Sequence, residues 1–155
     1  MKSFKEITLD NEPSHVSSVA QLIYCSFARN CNTKKIFAEN INDIFTQSGI
    51  CNSLYNITSA LLSDGEFFAH VIEGPPSSVT KLYSNIIHDT RHSNITLLQH
   101  AVVNVRLFSY WPIVYVEVDR IPHIDNLGVR STPVDLRKAR VSILKSFRPI
   151  LLDGA

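Results

Sequence analysis

Two hydrophobic rhythms divide this chain. Stretches with a period of two read as strands, and stretches whose apolar residues recur at i, i+3, i+4 and i+7 read as helices. The most informative stretch is Asn52–Gly74, NSLYNITSALLSDGEFFAHVIEG, which reads as a β-hairpin. Apolar runs at Leu54–Leu62 and Phe67–Ile72 flank Ser63-Asp64-Gly65-Glu66. Asp-Gly suits a tight turn, because Gly takes a positive φ without a Cβ clash. Within Phe67–Ile72, His70 is the one polar residue. Alternation places Phe68, His70 and Ile72 on one face and Phe67, Ala69 and Val71 on the other. Neither face is polar, so both should be covered, and His70 should be buried with hydrogen-bond partners.

The remaining pattern fills in around this hairpin. Gln21–Phe27 is a first strand, with Leu22, Tyr24 and Ser26 on one face and Ile23, Cys25 and Phe27 on the other. A helix over Lys35–Ser48 puts Phe37, Ile41, Ile44 and Phe45 on one side, with Gly49 as its stop. Gly74-Pro75-Pro76 breaks the chain. Ser77 or Ser78 then caps a helix whose stripe is Val79, Leu82, Tyr83, Ile86 and Ile87, ending near His88-Asp89. Asn94–Asn104 and Val114–Val118 are further strands. The order βαββαββ predicts an α+β, ferredoxin-like fold: a mixed sheet with two helices on one face. The other face needs a lid. Thr132-Pro133-Val134-Asp135 starts a helix that can supply it, with Leu136, Ala139, Ile143 and Phe147 as its apolar stripe. The same segment carries Arg137, Lys138, Arg140, Lys145 and Arg148, which read either as a solvated helix face or as a docking surface for an acidic partner.

Composition narrows the class. The chain has 155 residues, 45 % of them apolar, with 15 basic and 14 acidic side chains. That is enough for one real core and gives no general push toward nucleic acid or an anionic membrane. No apolar run approaches the ~20 residues of a bilayer span. The N-terminus lacks a signal-peptide layout, and the three cysteines, Cys25, Cys31 and Cys51, suggest no disulfide framework. The expectation is a reduced, cytoplasmic protein, in which the Asn-Ile-Thr sequons at Asn56 and Asn94 carry no meaning as glycosylation sites. There is no Gly-rich phosphate loop, no GxSxG and no HExxH, and the six histidines show no zinc-type spacing with the cysteines. The chain therefore reads as a non-enzyme without a metal centre. What remains is the sheet face beneath the first two helices, where Tyr24, Ser26, Asn52 and His70 should converge. Each alone reads as core. Together, polar groups aimed into an apolar slot suit a flat heteroaromatic ligand.

These residues also carry a family resemblance. From about Gln21 to Trp111 the chain resembles the BLUF domain, the flavin-binding blue-light sensor family. The match begins with the LIYCS strand and runs through Asp43-Ile44 and Asn52. The family's ITGxLL…FFQxLEG appears as ITSALLSDGEFFAHVIEG. DTRHSN at Asp89–Asn94 and RLFSYW at Arg106–Trp111 complete it, the latter as R-x-F-x-x-W. The resemblance implies FAD or another flavin between the two helices. Asn52 would hold the polar edge of its ring, Ile44 and Ile86 would sandwich it, and Arg91 and His92 would meet its ribityl-phosphate side. Tyr24 would donate an electron and a proton, with Ser26, His70 and Trp111 completing the site.

Three positions depart from the family pattern. His70 stands where the family has the Gln that bridges Tyr and flavin; an imidazole offers one donor and one acceptor on fixed ring positions and cannot rotate or tautomerise as an amide does. Ser59 replaces a Gly. Ile113, preceded by Pro112, replaces a Met. The resemblance thus implies a blue-light sensor with its photocycle altered or lost at His70; the alternative is a light-insensitive interaction module on the same fold. The expected layout is a lead-in over 1–18, the flavin-binding domain over 19–118 and a helical extension over 119–155. With no room in that extension for a separate output domain, output would pass by association, through a homo-oligomer or a bound regulatory protein.

Overall fold

A computed structural model of the chain describes residues 18–29, 32–109, 111–124, 127 and 131–153. The lead-in expected over 1–18 therefore lies, apart from Ser18, outside the described residues. The elements are β1 (Val19–Ala28), α1 (Lys34–Leu54), β2 (Thr58–Ser63), β3 (Phe67–Gly74), α2 (Pro76–Ile87), β4 (His92–Val103), β5 (Val114–Glu117), α3 (Pro133–Ser146) and α4 (Arg148–Asp153). The five strands form one sheet in the order β4-β1-β3-β2-β5. β1 runs antiparallel to β3 and β4, β2 antiparallel to β3, and β2 parallel to β5. This is the expected mixed, ferredoxin-like α+β arrangement.

Period-two alternation decides which side chains go where. Ile23, Cys25, Ala60, Leu62, Phe67, Ala69 and Val71 point to one face and pack with Ala139, Ile143 and Phe147 of the C-terminal helices. Leu22, Tyr24 and Ile72 point to the other and meet Val79 of α2. Leu61, Phe68 and Ile113 lie beside them against Ile44 of α1. The sheet is thus covered on both faces, with α3 and α4 as the lid. The lid helix starts as its sequence predicts: the Thr132 hydroxyl accepts from the Asp135 backbone N–H, and the Asp135 carboxylate accepts from that of Thr132.

Two helix ends differ from expectation. Gly49 does not stop α1, which continues to Leu54. A mid-helix Gly costs only about 1 kcal/mol relative to Ala, and the turn beyond it buries Asn52. The stop comes at Tyr55 and Asn56, where Asn56 takes the left-handed conformation at φ 55°. α2 begins earlier than Ser77 or Ser78: Pro75 caps it, with no side-chain cap bond, and Pro76 opens its first turn. Gly65 holds φ 90° at the hairpin turn, as Asp-Gly predicts. A Cβ on Gly74 would meet the Asn56 carbonyl at 2.9 Å, so the close approach of β3 to the end of α1 requires that glycine. Both sequon asparagines, Asn56 and Asn94, have positive φ. Among the described residues, no helix is long and apolar enough to cross a membrane.

A polar chain threads the lid face. The fully buried Glu73 carboxylate accepts from Gln21 Nε2 at 2.7 Å and from the backbone N–H groups of Leu107 and Phe108, each at 3.0 Å. Gln21 in turn accepts from Gln99, and Gln99 from Arg140 of α3 at 3.0 Å. The lid helix, three strands and the segment before β5 are joined through this one carboxylate.

Candidate functional site

β1 and β3 pair with Tyr24 opposite His70, so two side chains 46 positions apart stand together on the cleft face. The Tyr24 hydroxyl and His70 Nδ1 are 3.1 Å apart, and the rings meet edge to face at 5.6 Å. Both side chains are buried. Next to them, on β1 and at the start of β4, Ser26 Oγ bonds His92 Nδ1 at 2.9 Å. Asn52 reaches in from the last turns of α1, its Nδ2 donating to the Pro112 carbonyl at 2.7 Å and to Ser59 Oγ at 3.1 Å.

These groups wall a cavity of about 190 Å³ between α1 and α2. Tyr24, Asn52, His70, Arg91 and His92 line it, and so do Ile44 and Ile86, one on each helix. It adjoins a second cavity of about 460 Å³, with which it shares Cys51, Asn52, Leu82 and Asn85. Ser26 supports the wall through His92 instead of lining it. Trp111 is not brought to the cavity: it packs against the lid-face core, while Ile113, two residues on, turns to the cleft face beside Ile44 and Phe68. Sequence reasoning missed Gln47, Ser48, Cys51, Asn85 and Asp89 as lining residues. The signal was present: Ile44, Gln47, Ser48, Cys51 and Asn52 follow i, i+3, i+4, i+7, i+8, and Leu82, Asn85, Ile86 and Asp89 do likewise. Ending α1 at Gly49 hid the first of these stripes.

Electrostatics keep the interior of the site neutral. Burial, helped by the nearby His92, holds the His70 imidazole down to about 3. Burial and then the negative charge of Asp89 push the Tyr24 phenol well above its ordinary value. His92 is lowered by burial, which outweighs the pull of Asp89. At the rim, burial works against the Asp89 carboxylate, but hydrogen bonds and charge from Arg91 win and hold it below the ordinary range. Arg91 grips Asp89 through Nε and Nη2.

Two buried side-chain atoms among the described residues have no hydrogen-bond partner, Asn52 Oδ1 and His70 Nε2. Both residues line this cavity. A larger groove of about 840 Å³ lies on the other side of α1, against the hairpin turn and β5. Its Asp64 is already spent: Oδ1 accepts from the N–H groups of Glu66 and Phe67, and Oδ2 from that of Ile121. Unsatisfied buried polar atoms cost about 1–3 kcal/mol each, so the smaller cavity is where a ligand has something to supply. Walls of Ile44 and Ile86 with polar atoms at the edge fit a flat heteroaromatic ring.

Comparison with known proteins agrees. Residues 19–114 match the family model described as BLUF, sensors of blue-light using FAD. Among solved structures, the dark-state structure of BlrB, a BLUF protein, is 27 % identical with a TM-score of 0.65, covering 84 % of this chain and 98 % of that one. A bacterial light-regulated adenylyl cyclase is 26 % identical with a TM-score of 0.61; the match covers 85 % of this chain but only 35 % of the cyclase. The BlsA ground state is 27 % identical with a TM-score of 0.60, covering 64 % of this chain and 65 % of that one. No curated protein sequence matches. With a family model spanning most of its length and the family's sheet, cleft and paired helices in place, the chain belongs to the BLUF family of flavin-binding blue-light sensors.

Proposed function

We propose that this chain senses blue light through FAD held between α1 and α2, and that Tyr24, His70 and Asn52 pass the change to a protein partner. The observation that carries the reading is that two residues lining a cavity flanked by Ile44 and Ile86, His70 and Asn52, each keep a buried polar atom, Nε2 and Oδ1, without a hydrogen-bond partner. When bound, the flavin supplies blue-light absorption and an electron-accepting excited state. The protein's residues do the rest. Ile44 and Ile86 would flank the ring and exclude water, Asn52 and His70 would meet its polar edge, and Arg91 and His92 would hold its ribityl-phosphate side.

His70 takes the place of the family's bridging amide with different chemistry. It is neutral, so it carries one ring proton. The Tyr24 hydroxyl and His70 Nδ1 share one hydrogen bond at 3.1 Å. Where the hydroxyl donates it, the ring proton sits on Nε2 and the ring offers the ligand a donor; in the other tautomer it offers an acceptor. A ring pinned between Tyr24 and the ligand cannot invert its donor and acceptor by turning over, as an amide can. Any light response then runs through the proton position on His70, and it is altered from the family's. The response reaches a partner, either a second copy of the chain or a regulatory protein, through β5 and the basic face of α3.

The visible absorption spectrum of the purified chain with FAD, before and after blue light, tests this. A flavin band with a small reversible shift, abolished by Tyr24→Phe, is the expected result. A bound flavin whose spectrum ignores light would leave the pocket and remove the switch. A protein that stays colourless after incubation with FAD would remove the reading altogether and favour a light-insensitive interaction module.

A further inference from the structure

We propose that Ser59 and the Pro112 carbonyl lock the Asn52 amide so that it meets its ligand as a hydrogen-bond acceptor only, which makes Ser59 a positioning residue for ligand choice. The proposal rests on the flavin reading above and deepens it. An asparagine amide carries two N–H donors and one carbonyl acceptor. Asn52 Nδ2 lies 2.7 Å from the Pro112 carbonyl oxygen and 3.1 Å from Ser59 Oγ. A carbonyl can only accept, so the amide nitrogen must face Pro112, and the choice between oxygen and nitrogen is settled by chemistry. Ser59 Oγ spends its own hydrogen on the same carbonyl at 3.0 Å, so toward Asn52 it can only accept. Both amide hydrogens are then consumed inside the protein. Oδ1 is left, buried and without a partner, on a residue that lines the cavity.

The lock is well held. Ser59 is fully buried, and its backbone N–H donates to the Trp111 carbonyl at 3.2 Å. The last turns of α1, strand β2 and the segment entering β5 therefore meet at one amide. A residue without a hydroxyl at position 59 would free one Asn52 N–H, and the amide could then offer a donor as well. With Ser59 present, the site asks for a ligand that places an N–H against Oδ1: a heteroaromatic imide, which in a flavin is the ring N–H between the two carbonyls. An N-alkylated imide would set a methyl group against an unpaired buried acceptor.

The test compares riboflavin with 3-methylriboflavin, on the full chain and on its Ser59→Ala variant. The wild type should bind riboflavin about ten- to hundredfold more tightly than its methylated analogue, the range one unmade buried hydrogen bond gives. Ser59→Ala should narrow that ratio to a few-fold while still binding riboflavin. Equal binding of both by the wild type, or an undiminished ratio in Ser59→Ala, would overturn the proposal. A second readout needs no ligand: the two Asn52 Nδ2 protons, assigned by their loss in Asn52→Asp, should be shifted downfield and slow to exchange. In Ser59→Ala, or in Ser59→Gly if the first variant does not fold, one of them should lose protection. Freely exchanging Nδ2 protons in the wild type would overturn the lock. If neither flavin binds, the flavin reading fails, and the lock stands or falls on these protons.

Discussion

On the lid face the buried carboxylate of Glu73 receives three hydrogen bonds and sits in a chain that runs to Arg140. On the cleft face His70 and Asn52, equally buried, each keep one polar atom without a partner. The two faces belong to one sheet, and each pairs polar side chains with large apolar ones. What differs is where the hydrogen bonds end. The lid face closes its network on its own backbone, and Phe147 fills the space beneath it against Phe108 at 5.2 Å. The cleft face stops its network short, at a cavity. A satisfied buried network holds a fold together, whereas an unsatisfied one is paid for only when something else completes it.

The largest break in this comparison comes from emptying the lid side. Phe147→Ala removes a fully buried ring and should cost about 3–5 kcal/mol in urea denaturation of the ligand-free protein. Glu73→Gln sets an amide N–H₂ against donors that now meet a carboxylate. It should cost about 1–3 kcal/mol by the same measurement, with added FAD restoring none of the lost bonds. The most diagnostic probe is pH. Unfolded, His70 takes up a proton near its ordinary value; folded, not until about 3. Between those values the unfolded chain binds more protons, so stability is complete above the ordinary histidine range and falls as pH drops toward 3. The slope should approach about 1.4 kcal/mol per pH unit for this one group. His92, also lowered, adds to it, while the Asp89–Arg91 pair is lost over the acid end of the same range. His70→Gln should flatten the curve by the His70 share, read from denaturation midpoints across the series, whereas Glu73→Gln should leave the His70 share in place.

Much of this molecule was legible in order along the chain. The facing of Tyr24 and His70 on one side of the sheet, and of Cys25 and Ala69 on the other, follows from strand alternation, which needs no knowledge of partners. The lid helix announced itself through Thr132, Pro133 and Asp135, whose capping is local. The hairpin turn did so through Gly65. Helix ends were less legible. Gly49 looks like a stop, yet α1 runs through it, because burial of Ile44 and Asn52 along one helical stripe outweighs a single residue's propensity.

The site was legible as a set of residues but not as an arrangement. Asn52 could be named from the sequence; that its nitrogen is engaged by Ser59 and Pro112 while Oδ1 keeps no partner depends on contacts across 7 and 60 positions. Trp111 and Ile113 sit two apart, and alternation puts them on the same side. In the fold they part, Trp111 to the lid core and Ile113 to the cleft, because the segment before β5 is not in a strand and is placed by its bonds to Glu73, Ser59 and Asn52. By itself the sequence determined the elements, the facing of each strand and the chemical types gathered at the cleft, since these depend on spacing alone. Only the tertiary structure decided which polar atoms are satisfied and which are left waiting, because hydrogen-bond completion is a property of neighbours brought together from far along the chain.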